Sequence, residues 1–531
     1  MRRCSMGLGA LLGLGSVLPL LGALSLGARA SGLPYVPFLL FEWLTRALPG
    51  RLVTAGIDAM VALISALGVG PTSAVAKAAE MGLAVAALVA GAAVLGAVLA
   101  GVSGRRPGWL PGLGAAAGAA LWILCVAAMQ RVGYPPAGRA YSALWLFLLL
   151  GLWGTLLGLV VRRAGRDEQV EGSRRRFLEG FALGVVALFA ATVGLGRRWG
   201  RRAPSEAVGG SGAGPGLEAT SGPAASPPED VLARRVAPAT PTRPELTDPD
   251  RFYRVDINLA PPTVREAGWK LAVDGLVSTP QGFTLEELRA LPATRQAITL
   301  ECISNLLGGD LMSTGVVTGV PLRDLLARVG RRPAGRHVYV ESADGYFETV
   351  APADVEDPRT LLVWALDGAP LTAEHGFPLR LYVPDRYGMK QPKWITRLEV
   401  TEQARPGYWG VRGWSNEARV KTTSVIDGLG ASMRIGEADV MPVGGVAYSG
   451  AKGISRVEVQ VDGGAWQPAQ LRRPPLSPLS WVQWRFDWPY QAGSHTFRVR
   501  AYDGSGRLQP VEVRGPRPDG ASGLFELTRH V

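Results

Sequence analysis

Thr299-Leu-Glu-Cys-Ile-Ser-Asn-Leu-Leu-Gly-Gly-Asp310 is the stretch on which the reading of this 531-residue chain turns. It holds Cys302, the single cysteine of the polar half of the sequence, at the end of an apolar run and just before two glycines. A cysteine with no partner in its own domain is not half of an internal disulfide. Two readings stay open on the residue alone: a small buried hydrophobe, or a thiolate that binds a metal or reacts.

Outward from Cys302 the pattern is mixed. Trp269–Gly275 alternates apolar and polar residues as a strand does, and Thr284 with Glu287 has capping-box spacing for a short helix. Pro321 opens a helix carrying Leu322, Leu325, Leu326 and Val329 on one face, with Gly330 at its end. His337–Ser342 and Tyr346–Val350 read as strands joined through Asp344-Gly345. Short strands and short helices interleaved in this way predict an α+β domain over 251–412. Beyond it the helix signals stop. Val443–Tyr448, Ile454–Val461, Trp481–Asp487 and Ser494–Tyr502 alternate, and Asp462-Gly463-Gly464 supplies a hairpin turn, so 413–531 is expected to be a β-sandwich.

The first 200 residues differ in kind. Uncharged stretches at 4–28, 81–102, 109–130 and 141–161, with a shorter one at 177–196, predict an α-helical membrane bundle of about five spans. The stretch 52–69 carries Asp58 and follows Pro49-Gly50; it is read as interfacial or re-entrant, with a sixth span as the alternative. Net charge is +12, but the arginines cluster at Arg105-Arg106, Arg162-Arg163, Arg174–Arg176 and Arg197–Arg202, flanking apolar segments as membrane proteins place them. No aromatic-interleaved basic patch is present, and nucleic acid is not expected as a partner. Residues 203–250, rich in Pro, Gly, Ala and Ser, are expected to form a flexible linker. All four histidines lie at or beyond His337, so the bundle has no pair of histidine ligands for haem and is expected to anchor or dock. Ser173-Arg-Arg-Arg-Phe-Leu-Glu179 resembles a twin-arginine export signal, with Glu179 where that signal has lysine. It predicts soluble domains on the extracytoplasmic side of a multi-pass cell-membrane protein, carrying a cofactor inserted before export.

Longer blocks then accumulate: Glu301-Cys-Ile-Ser-Asn305 with Gly308-Gly309, Thr318-Gly-Val-Pro-Leu322, His375-Gly-Phe-Pro-Leu-Arg380, Arg386-Tyr-Gly-Met-Lys-Gln-Pro-Lys-Trp394 and Gly413-Trp-Ser-Asn-Glu417. In this order they resemble the sulfite oxidase superfamily of molybdopterin-dependent oxidoreductases, in its bacterial membrane-anchored form, over about 250–531. The resemblance implies a sulfite oxidase-like α+β cofactor domain followed by an immunoglobulin-like β-sandwich, with Mo-molybdopterin as cofactor. It implies that Cys302 is the catalytic thiolate on the metal, the remaining sulfur ligands coming from the pterin, so that one cysteine suffices. Arg380 and Lys393, and with them Asn258, His375 and Lys390, match positions around the cofactor, while Ser304 and Asn305 line the loop beside the metal. Lys390 and Lys393 are two of only six lysines among fifty-six basic residues. Trp394 and Trp414 read as packing residues, and Asp344 and Tyr346 as a hairpin.

The activity so implied is two-electron oxo-transfer on a small sulfur- or nitrogen-oxide substrate. The positions after Cys302 (Ile, Ser, Asn, Leu, Leu) lack the arginine that helps sulfite oxidases bind their anion, which keeps protein-methionine-sulfoxide reduction open as the alternative. A cofactor-free membrane-anchored binding module is the reading from another class. With no haem domain, electrons are expected to pass through a separate cytochrome or quinone-linked carrier. Relatives that pair through the C-terminal domain add a homodimer to the expected assemblies.

Overall fold

The computed structural model describes residues 4–67, 72–132, 138–165, 179–188 and 235–531. The chain forms two compact units. One takes Met1–Pro49, Lys77–Gly216 and Ile257–Thr263; the other takes Gly50–Ala76, Leu217–Asp256 and Val264–Val531.

Among the described residues of the first unit, four helices are long and apolar enough to cross a membrane: Met6–Ser31, Val75–Ser103, Pro107–Val132 and Arg139–Ala164. Twenty-six residues make a helix of about 39 Å, more than the roughly 30 Å of bilayer hydrocarbon. Their outward faces are apolar, with Leu83, Val94, Ile123, Leu144 and Leu152 all more than half exposed. They meet through small residues. A methyl group on Gly114 would stand 2.0 Å from the Gly154 carbonyl oxygen, and one on Gly118 would stand 2.2 Å from that of Leu150. These helices therefore run antiparallel with backbones in contact, the small-residue packing by which apolar helices associate in lipid. Gly9 against Gly96, and Gly13 against Ala92, pair Met6–Ser31 with Val75–Ser103 in the same sense.

One feature of the bundle departs from expectation, and another is only partly described. Val36–Ala47 is a helix opened by Pro37 in its first turn, which no apolar run announces because Glu42 and Arg46 interrupt it. Of the expected fifth span, the described residues show the ten-residue apolar helix Glu179–Leu188; the remainder, and all of the twin-arginine-like motif before Glu179, lie outside them. The helix Gly50–Leu67, over the stretch read from sequence as interfacial or re-entrant, falls in the second compact unit, where Gly50 abuts Arg412.

The second unit is rich in sheet. One five-stranded sheet orders Gln281–Phe283, Leu271–Gly275, Ile395–Thr401, His337–Ser342 and Phe347–Val350. Its only parallel pairing, Ala272 opposite Arg397, joins strands far apart in sequence. Another sheet carries Thr294–Glu301, Met312–Pro321, Leu361–Leu366 and Ala369–Pro370, with Arg380–Tyr382 also paired to Leu361–Leu366. The Thr284–Glu287 capping box forms, and Leu322, Leu325 and Leu326 of the helix Leu322–Arg328 are buried in the shared core with Val338, Leu362 and Leu398. Both follow from local signals: a reciprocal cap and an apolar face at helical spacing.

Residues 423–530 form two antiparallel sheets. Thr423–Leu429, Ala438–Tyr448, Val482–Pro489 and Gln470–Leu471 make one, and Gln467–Pro468, Ile454–Val461, Ser494–Asp503 and Phe525–His530 make the other. Val443, Trp484 and Phe486 from the first share a core with Val457, Val459, Phe497 and Val499 from the second. The turn after Ile454–Val461 places Asp462 at φ 51° and Gly463 at φ 73°, the left-handed pair a tight hairpin needs.

Residues 235–250, expected as the end of a flexible linker, are held in place. Arg235 grips Glu245 with two bonds of 2.5 and 2.6 Å, and Trp481 Nε1 donates to the Glu245 carbonyl at 3.0 Å. Arg243 pairs with Asp427 at 2.6 Å, and the Thr247 amide donates to the Thr314 carbonyl. Composition concealed this, because long-range ion pairs leave no periodic mark. Residues 203–234 lie outside the described residues.

Candidate active site

Cys302 follows the last residue of the strand Thr294–Glu301, where the ladder with Met312–Pro321 gives way to a loop. The loop is closed by its own polar groups. The Cys302 amide donates to the Leu311 carbonyl, the Asn305 amide to the Cys302 carbonyl, and the Leu311 amide to Asn305 Oδ1 at 3.1 Å. Asn305 Nδ2 donates to Glu301 Oε1 at 3.1 Å. Gly309 makes this closure feasible, since a Cβ there would stand 2.4 Å from Asn305 Oδ1. Gly308, at φ 79°, lies under the Phe525 ring.

Cys302 is 8% exposed, and its sulfur lies 3.0 Å from Ser304 Oγ. Burial raises its pKa, the Ser304 hydroxyl and amide working against the shift and Glu301 with it. Burial likewise lifts Glu301 to about 7, and its Oε2 has no hydrogen-bond partner. Three phenols respond electrostatically to Cys302: Tyr253, Tyr346 and Tyr387, each driven up mainly by burial. Tyr346 donates to the Met389 carbonyl at 2.6 Å, and Tyr387 accepts from the Lys421 amide.

Tyr253 also feels Arg380. Arg380 lies on the strand Arg380–Tyr382 and donates to the His375 carbonyl at 3.2 Å. Gly376, at φ 107°, brings the neighbours together: a Cβ there would be 3.0 Å from that of Lys393 and 3.1 Å from that of Arg380. Lys393 bonds Asp256, donates to the Glu374 carbonyl at 2.8 Å and lies 4.4 Å over the Trp394 ring. Burial lowers Lys393 to about 8 despite Asp256. Asp256 also binds Arg254, and the two cations hold its carboxyl below its ordinary value although burial opposes them.

Of the other candidates, His375 stays with this cluster, while Lys390 and Asn258 are engaged elsewhere. His375 stands edge-on to Phe252 and is pushed down to about 4 by burial, then by Arg380 and Lys393. Lys390 is buried on Glu348 at 2.6 Å. Asn258 belongs to the other compact unit, where its side chain accepts from Arg46 at 2.7 Å. The sequence reading did not single out Tyr253, Arg254 or Asp256. Trp394 and Trp414 are buried, as packing residues are.

His375 makes the fold sensitive to acid. A histidine whose folded pKa lies below its unfolded value contributes stability above about 6.5, and that contribution is lost as the pH falls toward about 4. Thermal unfolding of the protein in detergent should show this loss between pH 6.5 and 4, and His375→Gln should reduce it. Equal slopes for the two proteins would contradict the assignment.

What would these residues hold? Among the described residues no group of three or more His, Cys, Asp or Glu could bind a metal, so a metal on Cys302 needs donors from a cofactor. Arg380, Lys393 and Arg254 gather around Asp256, and Arg254 Nη2 is buried with no hydrogen-bond partner. Buried positive charge with an unused donor suits an anionic, phosphate-bearing ligand. The residues fit a pterin cofactor whose own sulfurs complete the metal site.

The comparisons agree. The family model for the oxidoreductase molybdopterin binding domain matches residues 258–409, and that for the Mo-co oxidoreductase dimerisation domain matches 408–514. Chicken (Gallus gallus) sulfite oxidase is 28% identical over 344 residues, 54% of this chain and 71% of that protein. The "Uncharacterized oxidoreductase YuiH" of Bacillus subtilis is 30% identical over 146 residues, 28% of this chain and 72% of that one. The "Putative protein-methionine-sulfoxide reductase subunit YedZ1" of Azospira oryzae is 35% identical over 152 residues, 29% of this chain; the match spans 56% of the relative's length.

Proposed function

Because the chain belongs to the sulfite oxidase superfamily of molybdopterin-dependent oxidoreductases, we propose that it is a membrane-anchored enzyme performing two-electron oxo-transfer on a small sulfur- or nitrogen-oxide substrate. The observation that carries this reading is the buried Cys302 thiol, joined through Tyr253, which feels both Cys302 and Arg380, to a cluster of cations, Arg380, Lys393 and Arg254, around Asp256.

Bound molybdopterin supplies the oxo-transfer chemistry. Cys302 would be the protein's ligand to molybdenum; burial favours its thiol, so binding the metal as thiolate would require the loss of that proton. The Glu301–Asn305–Leu311 brace fixes where the sulfur points, with Ser304 beside it. Arg380, Lys393 and His375 would hold the pterin's anionic end, joined by Arg254, while Lys390 is engaged by Glu348.

A specific observation favours the reductive alternative. The groups that respond to Cys302 are phenols kept protonated and a carboxyl raised to about 7, and the loop after it carries no cation. Neighbours of this kind suit a neutral S-oxide or N-oxide oxygen, which accepts hydrogen bonds, better than an anion such as sulfite. The experiment is a turnover screen of the purified protein with artificial electron donors and acceptors, comparing sulfite, methionine sulfoxide and N-oxides. Faster sulfoxide reduction than sulfite oxidation is expected. No turnover of any of them by molybdenum-loaded protein would refute the reading.

The side of the membrane rests on the twin-arginine-like run Ser173–Glu179, which supports an extracytoplasmic oxidoreductase domain over 251–412. Flanking charge does not choose between the ends of the bundle: antiparallel pairing brings Arg105, Arg106, Arg162 and Arg163 to one end and Arg29, Arg46, Lys77, Arg131 and Arg139 to the other. The two-sheet domain, 413–531, is read as immunoglobulin-like and as the homodimer contact, and a separate cytochrome or quinone-linked carrier as the electron partner.

A further inference from the structure

Two short stretches sit in the compact unit to which their sequence neighbours do not belong: Gly50–Ala76, and Ile257–Thr263, which lies with the membrane helices. The second is held by charged side chains of the bundle. Glu42, 8% exposed on the helix Val36–Ala47, accepts the Leu259 amide at 2.8 Å. Arg46, one turn further on the same face, donates to Asn258 Oδ1 at 2.7 Å and to the carbonyls of Arg131 and Val132 at 2.9 and 3.0 Å. Lys77 donates to the Asn258 carbonyl at 2.9 Å while pairing with Glu80 at 2.9 Å. Leu259 itself is 1% exposed.

Two consecutive residues thus have an amide, a carbonyl and a side chain engaged by three charges from two helices. Charged groups set into the end of an apolar bundle are costly unless hydrogen-bonded, and bonds to an ionised partner are about twice as strong as neutral ones. Nothing in a merely passive tether requires such groups there.

We propose that Glu42, Arg46 and Lys77 form a receptor on the membrane bundle for the segment Asn258–Leu259, which fastens the oxidoreductase to the bundle independently of the covalent connection through 203–234. Asn258 is then a positioning residue of this clamp and does not bind the cofactor. The inference stands whatever the substrate.

The test inserts a protease site between residues 203 and 234 of the full chain, cleaves the protein in detergent micelles and passes it over a column that retains an N-terminal tag. The wild-type C-terminal fragment should remain bound, and its complete release would overturn the proposal. Glu42→Gln/Arg46→Gln should weaken retention by about tenfold or more, the effect of losing a charge-assisted bond. Asn258→Ala, which leaves the helices untouched, should do the same if the double variant fails to fold. Retention as in wild type by Asn258→Ala would overturn the clamp, as would loss of molybdenum from an Asn258→Ala fragment that stays attached.

Discussion

Cys302→Ser is expected to abolish turnover and strip molybdenum from the protein while leaving its unfolding temperature in the cofactor-free state unchanged. Removing a residue that merely orients a metal ligand already costs about 10–100-fold in affinity or activity, so losing the protein ligand itself should exceed about 100-fold. Serine is close to cysteine in size, and the loop around it is closed by backbone groups and by Asn305 and Glu301, none of which needs the sulfur. The fold therefore has no reason to fail. Metal analysis beside activity checks the claim. A variant holding near-stoichiometric molybdenum and turning over within about tenfold of wild type would remove Cys302 from the metal, since a first ligand cannot matter less than an outer one.

The cysteine was legible because it combines type, position and neighbours: a lone thiol where a strand ends, before glycines at which a side chain would collide with Asn305 and Phe525. Helices and hairpins with local signals were legible for a similar reason. Thr284 and Glu287, or Asp344-Gly345, specify their structure within a few residues. Groups that act across the chain were not. Arg235–Glu245 and Arg243–Asp427 pin a segment whose composition reads as linker. Glu42 and Arg46 hide a helix by breaking an apolar run, and they do so because each has a hydrogen-bond partner more than 200 residues away. Asp256 stands two residues before Asn258, yet it binds Lys393 while Asn258 binds Arg46, a division no spacing rule predicts. Sequence patterns report periodic burial, whereas buried charge is decided by whichever counter-charge the fold delivers.

Lys390 offers the sharpest case, because a role near the cofactor and a role in the fold predict different results. Its ammonium lies 2.6 Å from Glu348 Oε1, with side-chain exposures of 7% and 1%, and Glu348 Oε1 also accepts the Thr349 amide. Burial pushes the Glu348 pKa up and Lys390 opposes the shift. Lys390→Met should strand that carboxylate in the interior at a cost of about 3–5 kcal/mol, lowering the unfolding temperature by on the order of 10 °C. The sign with pH is fixed. Without its counter-charge Glu348 has a folded pKa raised further above the unfolded value of about 4.3, and the resulting deficit grows as the pH rises and shrinks as it falls toward that value. Lys390→Met/Glu348→Gln should recover most of the loss, because no bare charge remains buried. Molybdenum content then separates the roles. If Lys390 serves only to neutralise Glu348, the stable double variant loads the metal normally; if it also holds the pterin, stability returns while molybdenum stays low. A single variant as stable as wild type at neutral pH would mean that Glu348 is not ionised in the fold and that the pair contributes nothing.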